Sequence, residues 1–158
     1  MTHDADPLRH ADLTVLLGMS FQVVLAEFTQ RLDAAGYAEL RPVHGFVFQQ
    51  LRGPGLTGTE LAQRLGVTKQ AVGQIVTELE KRGYVRKAPH PNGGRAQLIQ
   101  LTERAHDHLD VAGRLLRAVE SELADRIGDT DLAHLREQLA TLVRAAVGDA
   151  IPPLRPIW

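Results

Sequence analysis

Apolar residues recur at three- and four-residue steps from Leu13 through Leu16, Leu17, Phe21, Val24 and Phe28 to Leu32, which predicts a long amphipathic helix ending near Gly36. A second helix is predicted from Pro42 to Leu51. Its proline takes a first-turn position where the missing N–H has no intrahelical partner to lose, and Gly53-Pro54-Gly55 stops it. From Thr57 to Gly83 the pattern shortens to two amphipathic helices joined by a tight turn. Leu61, Ala62 and Leu65 form the apolar side of the first, Gly66 marks the turn, and Val67, Val72, Ile75, Val76 and Leu79 lie on or beside the second. Thr57 and Glu60 have capping-box spacing, and Thr68 is placed to cap the following helix.

Downstream the period changes. Tyr84–Ala88 is β-prone, Pro89–Gln97 is dense in turn residues, and Leu98–Leu101 is a second apolar run, so a β-hairpin is predicted. Thr102 then begins a long helix with Leu109, Ala112, Leu115, Leu116, Val119 and Leu123 on its stripe, ending by Gly128. Asp129 is placed to cap a last helix carrying Leu132, Leu135, Leu139, Leu142 and Val143. Pro152, Pro153 and Pro156 prevent the tail from continuing it; the tail is either extended across a partner subunit, with Ile157 and Trp158 as anchors, or disordered. The fold expected is mainly α with a small β-hairpin wing. It comprises an N-terminal dimerisation helix (1–36), a winged helix-turn-helix lobe (37–104), C-terminal dimerisation helices (105–150) and a Pro-rich tail (151–158). The terminal helices are too long to be covered by so small a lobe, so a two-fold homodimer is expected rather than an intrachain bundle.

The polar face of the second short helix carries the chemistry. Gln70, Gln74, Thr77 and Lys81 lie opposite its apolar stripe. Glutamine offers a donor and an acceptor on one planar group, as an adenine edge in the major groove requires. Thr68 and Lys69 at the helix start can reach phosphates or guanine edges, and Gly73 leaves room for close backbone approach. In the turn of the β-hairpin, Arg95 follows Gly93 and Gly94, presenting a planar, weakly hydrated cation suited to a narrow minor groove. The bland alternatives are a solvated helical hairpin and an incidental loop arginine; the succession of the two elements argues against both. Charge agrees. The chain has a net charge of −1, but between Leu56 and Arg104 eight basic residues face four acidic ones, leaving an acidic remainder.

The run GTELAQRLGVTKQAVGQIVTELEKRGYVRKAPHPNGGRAQLIQLTERA resembles the winged helix-turn-helix of the MarR family of bacterial transcription regulators, including the LEKRGYV junction and the LT exit. It spans roughly a third of the chain. Two positions depart from the family pattern: Gly93 stands where an Asp usually braces the wing arginine, and Ala105 where Gly often follows the LT signal. The resemblance implies a homodimeric repressor binding double-stranded DNA at an inverted repeat, with a small-molecule effector in the crevice between the dimerisation helices and the winged lobes. His44, near the start of the second helix, is the candidate crevice residue.

Other classes are weaker. The absence of cysteine excludes disulfides, zinc fingers and thiol redox sensing. No cofactor, metal or catalytic residue is expected. His106 and His108, two apart on a helix, point away from one another, although His10 and His44 leave a metal-responsive regulator as an alternative. His106, Asp107, His108 and Asp110 lie on successive helix faces without a nucleophile turn, against a hydrolase. No stretch reads as a membrane span and the start MTHDADPLRH does not resemble a secretion signal, so a cytoplasmic protein is expected.

Overall fold

The apolar positions of the central segment converge as their spacing dictates. In the computed structural model, which describes residues 6–148, 150 and 153–155, the core gathers Val47, Phe48, Leu51, Leu61, Leu65, Val72, Val76, Leu79 and Tyr84, all buried. Helix α1 (Leu13–Leu32) runs into a wide turn at Asp33–Tyr37, followed by α2 (Pro42–Gln50), β1 (Leu56–Thr57), α3 (Gly58–Leu65) and α4 (Lys69–Lys81). Strands β2 (Val85–Pro89) and β3 (Gln97–Leu101) then lead to α5 (Glu103–Ile127) and α6 (Asp129–Val147).

Local chemistry explains the boundaries. Thr57 Oγ1 accepts the Glu60 N–H while the Glu60 carboxylate accepts the Thr57 N–H at 2.8 Å, closing the capping box of α3. Thr68 caps α4 by accepting the Ala71 N–H at 3.1 Å, and Thr102 caps α5. The wing differs from the two-stranded expectation. Among the described residues the sheet has three antiparallel strands in the order β1-β3-β2, Leu56 pairing with Ile99 and Val85 with Leu101. β1 has two residues, too few to show a period, and its pairing depends on Gly55: a Cβ there would stand 2.6 Å from the Ile99 carbonyl oxygen.

Three further expectations are corrected. Val67 is not a core residue but 36% exposed, because the chain turns outward just past Gly66. Asp129 does not cap α6; Gly128 holds the cap position, and Asp129 is the first helical residue, where with Asp131 it favours the positive helix end. The largest correction concerns α1. Leu13–Tyr37 is long and apolar enough to cross a membrane by length and composition, an 18-residue window within it having a mean hydropathy of 1.3. The sequence places no charge between Leu13 and Glu27, and apolar residues surround the helix instead of forming one stripe. Leu13, Val15, Leu17, Met19 and Val23 are 36–67% exposed, and α1, like α6, has no buried residue. One side of α1 packs on α5, locked by Arg31, which bonds Glu122 through both terminal nitrogens at 2.9 and 2.7 Å and Glu27 through Nε at 2.7 Å. The tail anchors Ile157 and Trp158, with Pro152 and Pro156, lie outside the described residues.

Candidate nucleic-acid interface

Helix α4 divides cleanly. Val72, Val76 and Leu79 are buried and Ile75 packs against the core, which leaves Gln70, Gly73, Gln74, Thr77 and Lys81 exposed along the other face. That face lines a shallow hollow. The Thr77 hydroxyl donates to the Gly73 carbonyl at 2.8 Å, so its methyl and oxygen lone pairs are what it presents outward. Between α4 and the wing runs a groove of about 360 Å³, with Lys69, Gly73 and Thr77 on one wall and Lys87, Ala96 and Gln97 on the other. At the wing turn the Gly93 N–H donates to the His90 carbonyl at 2.9 Å, and Arg95 stands exposed beyond it.

The cations of this lobe fall into two groups. Among the described residues, Arg52, Arg64, Lys69, Lys81, Arg86 and Arg95 are exposed and none makes an ion pair. The others are committed: Lys87 to Glu80 at 2.9 Å, Arg82 to Glu78 Oε1 at 2.8 Å, Arg41 to Glu78 Oε2 at 2.5 Å, and Arg104 to Glu39 at 3.2 Å. Glu78 therefore ties the inner side of α4 to the start of α2. Sequence reasoning missed this network. The Glu78/Arg82 spacing on one helix was a usable signal, whereas Arg41 and Glu78 are brought together only by the fold.

His44 lies beneath that network, fully buried. Its Nδ1 accepts the Arg41 N–H at 3.0 Å, so the neutral ring carries its proton on Nε2, 3.6 Å from Glu78 Oε2. Burial pushes its pKa below the usual histidine value, helped by Arg41 and Arg82 and opposed by Glu78. His108 is also buried; its Nδ1 has no hydrogen-bond partner, and Tyr37, Phe48 and Tyr84 meet its ring edge to face. Burial lowers its pKa too. Tyr84 donates to Glu39 at 2.6 Å under the Arg104 guanidinium, and burial, then this bond, push its phenol up to about 12. His106, unlike His108, is exposed, and no group of three or more metal-ligating side chains occurs among the described residues.

A paired helix hairpin with a polar outer face, a capped second helix and a three-stranded wing is a winged helix-turn-helix, and the MarR family model matches residues 49–96 of it. Over that segment the chain resembles the MarR family. Across 107 residues it is 27% identical to the transcriptional repressor MprA of Escherichia coli K12, the alignment covering 68% of this chain but only 61% of MprA. Among solved structures, a MarR-family transcriptional regulator from Rhodococcus sp. RHA1 is 26% identical with a TM-score of 0.64, covering 83% of this chain and 91% of that one. The transcriptional repressor CouR, in a structure bound to a 23-mer DNA duplex, shares the fold at 24% identity and a TM-score of 0.70, covering 91% of this chain and all of CouR. The MarR winged-helix architecture thus extends over the flanking helices as well as the 49–96 segment.

Proposed function

We propose that this chain is a DNA-binding transcriptional regulator, acting in the cytoplasm as a homodimeric repressor on an inverted-repeat operator. One observation carries the reading: Lys69 and Lys81 on α4 and Arg86 and Arg95 on the wing are exposed and left without an ion pair beside the polar face of α4. In this reading Gln70 and Gln74 read base edges, Thr77 offers its methyl to a thymine, and Gly73 admits close approach. Thr68, Lys69 and Lys81 hold phosphates, and Arg95 enters the adjacent minor groove. MprA and CouR are named repressors, and CouR was solved on DNA, which supports the same role here.

The homodimer rests on α1 and α6, whose exposed apolar side chains, Leu13, Val15, Met19 and Val23 on α1 and Leu135, Leu142 and Val143 on α6 among them, a second copy would cover. A small-molecule effector acting between the dimerisation helices and winged lobes would regulate DNA release by binding one spacing of the recognition helices better than the other. His44 enters this proposal through its contact with Glu78: movement of α2 would be felt at α4. The test is to capture genomic fragments with purified protein and titrate the enriched duplex with salt. A promoter fragment should be enriched, with affinity falling by about a thousandfold or more between 50 and 200 mM salt. No enrichment over random fragments, or salt-independent binding, would sink the reading.

A further inference from the structure

The end of α3 is closed in a way that leaves one job undone. Past Leu65 the chain enters the left-handed region at Gly66 (φ 69°), the Val67 N–H donates to the Ala62 carbonyl at 3.1 Å and the Gly66 N–H to the Gln63 carbonyl at 3.3 Å. This is a Schellman closure, which satisfies the Ala62 and Gln63 carbonyls but supplies no donor to Arg64. The missing donor comes from more than ninety residues away. Arg155 Nε donates to the Arg64 carbonyl at 3.1 Å, and Arg155 Nη2 to the Gln63 carbonyl at 3.3 Å. Its guanidinium lies on the bare backbone of Gly66: a Cβ there would be 3.1 Å from Arg155 Cδ and 3.2 Å from Nη1.

We propose that Arg155 is a tail-borne cap of α3, docking the Pro153–Arg155 segment on the helix-turn-helix of the same chain. Three requirements meet at this point. The cation sits at the negative end of a helix dipole, its fork spans two adjacent carbonyls, and a glycine supplies the flat surface on which it rests. The consequence is a second connection, independent of α5, between the chain beyond α6 and the turn that sets the angle of α4. Neither the winged-helix architecture nor the DNA-binding role requires it, so its failure would leave the proposed function standing.

Hydrogen exchange on the full-length protein, with Arg155→Ala and Arg155→Lys beside the unsubstituted chain, tests the cap. In Arg155→Ala the amides of residues 64–68 should exchange about three- to tenfold faster while those of β2 and β3 are unchanged. Arg155→Lys should recover only part of the protection, because an ammonium cannot span both carbonyls in one plane. The effect should not vary with protein concentration. Unchanged exchange at 64–68, acceleration spread equally over the wing, full recovery by lysine, or an effect that appears only at high protein concentration would each overturn a two-carbonyl cap made within one chain.

Discussion

Gln70 and Gln74 stand one helical turn apart on the exposed side of α4, away from Val72 and Val76, so truncating either would, in the proposed reading, remove base-reading chemistry without opening the core. Alanine at either should relax sequence preference at one position per half-site by roughly 1 to 3 kcal/mol and leave the melting temperature nearly unchanged. Competition binding against single-base operator variants measures this; loss of folding with unchanged preference would contradict the face assignment. The contact proposed for Arg95 is of a different kind. Arg95→Ala should weaken operator binding roughly tenfold or more and reduce the salt slope by about one, whereas Arg117→Ala on α5 should do neither. Equal, negligible losses for both would mean that the wing does not touch DNA. The buried histidines set the acid limit. His44 and His108 both have folded-state pKa values below the ordinary 6.5, so the unfolded chain binds more protons as pH falls. Stability should therefore be full above about pH 7 and decline as pH drops through 6.5 toward the lowered folded values; denaturant midpoints between pH 8 and 5 measure it, and His108→Phe should flatten the decline.

At the scale of elements, most of the fold was legible because each signal was local. Thr57 with Glu60, Thr68 and Gly66 announce helix ends through short-range hydrogen bonds, Pro42 through its fixed φ and missing N–H, and all four signals sit as expected. What escaped detection depends on chain segments far apart. β1 exists only against β3, the Glu78–Arg41 pair only once the fold brings the start of α2 to α4, and the Arg155 contact only in the folded chain. The apolar girdle of α1 was misread for another reason: residues spaced as one stripe were counted, and Val15, Met19 and Val23 between them were not. The exposed recognition face was predictable from helical period alone, but its division into paired and unpaired cations was not. Glu78 belongs to this scale because it fastens one helix to another. Glu78→Ala should lower stability by about 1 kcal/mol, a modest loss because Arg41 and Arg82 are partly solvated, and should weaken operator binding without changing which bases are preferred. Changed base preference would place Glu78 among the reading residues instead.

For the whole molecule, the proposed dimer turns on α1 and α6. Sedimentation at micromolar concentration should give twice 17.3 kDa, and Val23→Glu, at a position 67% exposed in the single chain, should shift the protein toward monomer. A monomer for the unsubstituted chain would overturn both the dimer and the palindromic operator. The girdle of α1 also bears on how such a protein is made and kept. If its only cover is a second subunit, a newly synthesised chain leaves the ribosome with its first helix bare, and its survival becomes a race between meeting another copy and being bound by chaperones or proteases. Orphan subunits would be cleared and pairs spared, so the cellular level of the protein would respond to its own synthesis rate more steeply than in proportion.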